Sequence, residues 1–113
     1  QLTNAESFQF TKYKKTQHYS WHQDSFLKPD ENGLIRKISV TLSLADGSTY
    51  EGGDFEFDLR NHRESKPVIR KCKEARQKGT MIIFPSFIWH RVTPVKNGTR
   101  YSLVVWNRGN PFT

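Results

Sequence analysis

Leu34-Ile35-Arg36-Lys37-Ile38-Ser39-Val40-Thr41-Leu42-Ser43-Leu44 alternates apolar and polar side chains over its second half. On a strand, successive side chains point to opposite faces, so Ile38, Val40, Leu42 and Leu44 share one face and Ser39, Thr41 and Ser43 the other. The same period of two recurs outward in both directions. Tyr50 to Leu59 opens on Gly52-Gly53 and then sets Phe55, Phe57 and Leu59 against Asp54, Glu56 and Asp58. Thr80 to Phe84 is a short apolar run ended by Pro85, and Thr99 to Asn107 places Arg100, Ser102, Val104 and Trp106 on one parity. Turn chemistry separates these runs at Pro29-Asp30-Glu31-Asn32-Gly33, Asp46-Gly47-Ser48 and Lys96-Asn97-Gly98. Helix chemistry is confined to the stretch from about Pro67 to Gln77, where Pro67 suits a first turn. Short strands without a βαβ rhythm predict one all-β, mainly antiparallel sandwich or barrel with at most one short helix.

Bulk properties fit that expectation. The 113 residues suffice for one compact domain and are too few for two. No apolar run approaches the ~20 residues that span a bilayer, so no membrane partner is expected. The start, Gln1-Leu2-Thr3-Asn4, has neither a signal-peptide core nor an initiator Met, which suggests a trimmed chain or a fragment of a longer one. A single cysteine, Cys72, excludes an internal disulfide and fits a reducing compartment. The net charge of +7 is concentrated: between Arg60 and Lys78, eight Lys and Arg stand against two acids. A solvated loop is the simpler reading of that segment, and a basic lip for an acidic partner or a polyanion the sharper one.

The chemistry lies in two short motifs and one arginine. In His22-Gln23-Asp24 an imidazole and a carboxylate stand two residues apart, and on a strand both would address one metal ion. His90 sits in the apolar stretch Ile83-Phe84-Pro85-Ser86-Phe87-Ile88-Trp89-His90-Arg91-Val92, where a buried polar group needs a partner. Two histidines and a carboxylate make a facial triad for Fe(II), and zinc accepts the same ligands with a water. Arg100 discriminates between them. It follows the Lys96-Asn97-Gly98 turn, which is expected to lay its strand beside that of His90. A guanidinium forks onto a carboxylate. The dication, Asp24 and a bound dicarboxylate together leave one negative charge, which Arg100 cancels. A zinc hydrolase gives Arg100 no role.

His22-x-Asp24, Gly52-Gly53, Phe84-Pro85, His90 and Arg100-Tyr101-Ser102-Leu103-Val104-Val105-Trp106 together resemble the prolyl-4-hydroxylase-type (PKHD-like) branch of the Fe(II)/2-oxoglutarate-dependent dioxygenases, the small phage-encoded members in particular. The resemblance runs from about Tyr13 to Trp106. It implies a double-stranded β-helix (jelly-roll) barrel over residues 1–113, lacking the usual N-terminal helices, so that the row Ile38-Val40-Leu42-Leu44 is partly exposed or covered by self-association. It makes His22, Asp24 and His90 the iron ligands and catalytic centre. Arg100 then binds the distal carboxylate of 2-oxoglutarate, with Tyr13 a second co-substrate contact and Trp106 lining the iron pocket. Ser43 stands where some members carry a tyrosine near that carboxylate. The implied cofactors are Fe(II), 2-oxoglutarate and O2, with ascorbate as reductant. The implied reaction hydroxylates an unactivated C–H bond, of a prolyl or similar residue in a peptide or protein, releasing succinate and CO2. The implied setting is the cytoplasm of a bacterium or of a phage-infected bacterial cell. An oxygenase acting on nucleic acid ranks lower, since that branch carries a second arginine where this chain has Trp106. A non-catalytic cupin-like barrel usually carries His-x-His at the first motif.

Overall fold

The computed structural model describes residues 2–25, 29–61 and 63–110. The described residues form eleven strands and two short 3-10 turns; the strands are β1 (Leu2–Ala5), β2 (Gln9–Tyr13), β3 (Tyr19–His22), β4 (Ile35–Ser43), β5 (Tyr50–Gly52), β6 (Phe55–Asp58), β7 (Ile69–Lys71), β8 (Met81–Pro85), β9 (Trp89–Val92), β10 (Val95–Gly98) and β11 (Arg100–Gly109). All pairings are antiparallel. A larger sheet has the order β1-β11-β4-β8, with β2 also on β11, and a smaller one the order β3-β9-β6-β7. A two-stranded ribbon, β10-β5, completes the set. The sheets meet through aromatic contacts: Phe55 and Phe57 of β6 lie 5.8 and 5.1 Å, centroid to centroid, from Phe84 of β8. Val92 and Ala75 are buried with them.

The stretch 67–77 forms no α-helix. Residues 69–71 enter the smaller sheet as β7, and Lys73–Arg76 make a single 3-10 turn. Arg76 explains the local path. Its guanidinium donates to the carbonyls of Gly47, Tyr50 and Gly52 at 2.7–3.0 Å and pairs with Asp54 at 3.0 Å. Lys71 also pairs with Asp54, and Arg60 with Asp58. Part of the basic segment is thus neutralised by acids that precede it in the chain.

The central strand β4 turns its hydroxyl row inward. Ser39, Thr41 and Ser43 are buried, whereas Ile38, Val40 and Leu42 are only partly covered. Register extends this pattern across the sheet. Trp106 pairs with Ser39, Val104 with Thr41, and Ser102 with Ser43, while Ser102 and Arg100 pair with Thr11 and Tyr13 on the other side. Partners in register share a face, so the row Arg100-Ser102-Val104-Trp106 faces the interior as its parity predicts. The opposite face carries Phe10, Ile83 and Met81, all more than half exposed. The expected partial exposure of the apolar row is therefore what the fold shows.

One connection differs from expectation. Residues 95–98 form β10 rather than a turn, and they pair with β5. The chain uses this ribbon to pass from the smaller sheet to the larger, so β9 and β11 lie in opposite sheets instead of side by side. Gly52 makes the crossing feasible. It adopts φ +71°, and a Cβ there would come within 2.2 Å of the Pro94 carbonyl oxygen. Gly79 has a comparable φ of +88° but open space around it. Gly79→Ala should then cost about 1–2 kcal/mol of backbone strain, and Gly52→Ala clearly more, in chemical denaturation. Equal losses would show that the close approach at Gly52 is unimportant.

Candidate active site

His22 and His90 are register partners across β3 and β9, with ring centroids 4.1 Å apart. Asp24 lies past the end of β3, so strand alternation does not place it. Its amide and that of Ser25 instead donate to the Ser86 carbonyl at 2.9 and 3.0 Å. That anchor brings Asp24 Oδ1 to 3.3 Å from His22 Nε2 and 3.2 Å from His90 Nε2. His22 is half-buried, Asp24 and His90 are buried, and one ligand atom from each lies within 4.8 Å of the others.

The tautomers give this cluster its meaning. His22 Nδ1 lies 2.7 Å from the Ser20 carbonyl oxygen, and His90 Nδ1 lies 2.8 Å from that of Ile88. A carbonyl only accepts, so each Nδ1 carries the proton and a neutral ring presents a bare lone pair at Nε2. Two nitrogen lone pairs and a carboxylate oxygen then converge with no proton between them. Such a set calls for a cation. Burial raises the Asp24 carboxyl, but the Ser39 hydrogen bond, joined by hydrogen bonds from His22 and His90 whenever a proton fills the gap in place of a metal ion, outweighs it and holds the group well below the usual carboxylate range.

A cavity of about 310 Å³ runs from this cluster along the inner face of the larger sheet to Arg100. Tyr13, Thr41, Ser102, Val104 and Trp106 line it. Arg100 is 4% exposed, and among the described residues no Asp or Glu pairs with it. Its partners are hydroxyls and rings, with Ser102 Oγ at 3.4 Å, the Tyr13 ring at 5.7 Å and a side-chain hydrogen bond with Tyr50, and the charged group that acts on it, Arg76, is a second cation. Burial pulls the guanidinium below its ordinary value, with Tyr50 and Tyr13 opposing. Burial likewise raises the Tyr13 phenol, with Arg100 opposing. At the other end, Trp106 Nε1 is a buried donor without a partner among the described residues, and the Arg36 guanidinium stacks on its ring at 3.8 Å. The donor set fits the group that the sequence implies: three ligand atoms for a metal, then a buried cation and an unused N–H for an anionic ligand beside it.

The 2OG-Fe(II) oxygenase superfamily model matches residues 8–108. The chain belongs to that superfamily. A PKHD-type hydroxylase of Nitrosomonas eutropha is 36% identical over 95 residues, covering 80% of this chain and 38% of the relative. A crystal structure of a Pseudomonas putida prolyl-4-hydroxylase superposes with a TM-score of 0.73 at 27% identity, over 95% of this chain and 54% of the other. The viral collagen prolyl hydroxylase of Paramecium bursaria Chlorella virus 1, solved with 2OG, gives 0.65 at 25% identity, over 94% and 59%. The chain thus spans less than half the length of the Nitrosomonas relative. No helix among its described residues is long and apolar enough to cross a membrane.

The structure brings all six sequence-predicted residues, Tyr13, His22, Asp24, His90, Arg100 and Trp106, onto one cavity. Sequence reasoning missed three neighbours. Ser39 and Ser86 meet Asp24 from β4 and the loop after β8, and Tyr50 meets Arg100 from β5. Ser43 itself donates to the Ala45 carbonyl, and Tyr50 is the aromatic hydroxyl that reaches Arg100. The parity that Ser39 shares with Thr41 and Ser43 is the signal the sequence carries, though not which way that face points; Ser86 and Tyr50 carry none. A buried arginine without an acid costs folding free energy. Arg100→Met should therefore leave the ligand-free chain within about 1 kcal/mol of its stability or raise it, by chemical denaturation. A loss above about 2 kcal/mol would mean that Arg100 is a structural residue.

Proposed function

We propose that this chain is an Fe(II)- and 2-oxoglutarate-dependent dioxygenase that hydroxylates a prolyl or similar residue of a peptide or protein. The observation that carries the reading is the pairing, in one cavity, of three convergent ligand atoms with a buried arginine that has no acid. His22, Asp24 and His90 hold the iron, and Arg100 takes the distal carboxylate of 2-oxoglutarate with Tyr13 beside it. The names of the hydroxylase relatives support the substrate class.

When bound, iron and 2-oxoglutarate supply the oxidising chemistry, in which O2 gives one oxygen atom to succinate, formed with loss of CO2, and the other to the substrate C–H bond. The chain's own share is placement and electrostatics. Arg100 gives the dicarboxylate one orientation, since its fork accepts a carboxylate in the plane of the guanidinium. Phe55, Phe84, Val92 and Val104 keep the cavity wall apolar, which strengthens every charge interaction inside it. Trp106, with Arg36 stacked on its ring, forms the cavity wall beside Ser39, its register partner and the donor to Asp24.

Succinate formation separates the roles. Asp24→Ala should reduce turnover at least about 100-fold by removing a ligand to the metal. Arg100→Ala should raise the 2-oxoglutarate KM roughly 10- to 100-fold, as expected for a lost charge-assisted pair, with Fe(II) affinity little changed. An unaltered co-substrate KM in Arg100→Ala would refute the assignment.

A further inference from the structure

Asp24 is held by more than the two histidines. While Oδ1 faces both imidazoles, Oδ2 accepts the Ser39 hydroxyl at 2.6 Å. Ser39 Oγ is in turn 2.8 Å from Ser86 Oγ, and both serines are 0% exposed. Neither lines the cavity. A serine hydroxyl carries one proton. Ser39 gives its proton to Asp24, so the proton between the two serines is that of Ser86. The bonds therefore run in one direction, from Ser86 to Ser39 to Oδ2. Ser86 is anchored by its main chain as well, its amide donating to the Lys37 carbonyl at 2.9 Å and its carbonyl accepting from Asp24 and Ser25.

We infer that Ser39, backed by Ser86, is a positioning residue that confines Asp24 to a single metal-ligating oxygen, Oδ1. The inference rests on the assignment of His22, Asp24 and His90 as metal ligands. A carboxylate binds a metal through one oxygen or through both. A two-oxygen grip would take one of the open positions that distinguish a facial triad and that the co-substrate and O2 need. To ligate, Oδ2 must swing towards the metal and away from Ser39, stretching a short charge-assisted hydrogen bond at a place closed to water, where nothing replaces it. The serine pair thus biases the carboxylate towards the mode that keeps the site open. It also blocks rotation about the Cβ–Cγ bond, which would carry Oδ1 away from the two Nε2 atoms.

Co(II) titration of the metal-free 113-residue chain, followed by visible absorption and by thermal melting, tests this. Ser39→Ala should bind Co(II) roughly 10- to 100-fold more weakly, as for other outer-shell partners of a metal ligand, and with an altered absorption spectrum. Ser39→Thr keeps the hydroxyl and should restore most of both. Ser86→Ala leaves the Ser39 donor in place and should weaken binding about two- to tenfold, at the low end of outer-shell effects. Thermal melting separates positioning from plain packing. In Ser39→Ala the rise in Tm on Co(II) saturation should shrink, whereas a packing defect lowers the metal-free and loaded forms alike. Unchanged Co(II) affinity and spectrum in Ser39→Ala, or in Ser86→Ala should the first variant not fold, would overturn the inference. If Asp24→Ala binds Co(II) as well as the unaltered chain, the metal site itself is wrong and the inference falls with it, an outcome the serine variants do not produce.

Discussion

His22 Nε2 and His90 Nε2 lie 3.3 and 3.2 Å from Asp24 Oδ1, and each Nδ1 proton is committed to a main-chain carbonyl, so with neutral rings three lone-pair atoms converge. Without a cation that arrangement is repulsive. The surrounding structure exists in the form that holds it in place. The β3–β9 ladder sets the two rings as cross-strand partners, the Ser86 carbonyl fixes the residues past the end of β3, and Ser39 holds the far side of the carboxylate. A rigid frame around mutually repelling groups means that the cost of assembling them is met by folding, so that a metal ion bound there would recover it.

The second electrostatic demand sits at the other end of the cavity. Arg100 is buried among tyrosines and serines, and its charge has no acid to offset it among the described residues. A dicarboxylate spanning the cavity would answer both ends together, one carboxylate near the proposed metal site and the other on the guanidinium. The hydroxyl-lined inner face of β4 and β11 suits such a ligand better than an apolar face would. This accounts for a strand whose serines and threonine point inward while its aliphatic residues face outward.

Much of this was legible in the sequence, and the limits have physical causes. Period two correctly grouped Arg100 with Ser102, Val104 and Trp106, and the two motifs singled out His22, Asp24 and His90, which the fold brings together although Asp24 lies past the end of β3. Alternation shows which residues share a face, but it does not decide which face is enclosed; for β4 the usual rule of apolar residues inward is reversed. The stretch 67–77 has helix-forming residues, yet Arg76 draws it onto the carbonyls of the β5 corner and β7 adds to a sheet edge. Asp24 owes its place to Ser86, a contact between residues far apart in the chain, and Arg100 owes its hydrogen bond to Tyr50. Such contacts follow only from the folded path.

The most direct test of the central claim is an anaerobic visible-absorption titration of the metal-free protein, first with Fe(II) and then with 2-oxoglutarate. The account predicts a charge-transfer band that appears only when both are present, because the triad leaves open positions that the co-substrate can occupy. Iron binding with no such band on adding 2-oxoglutarate would contradict it.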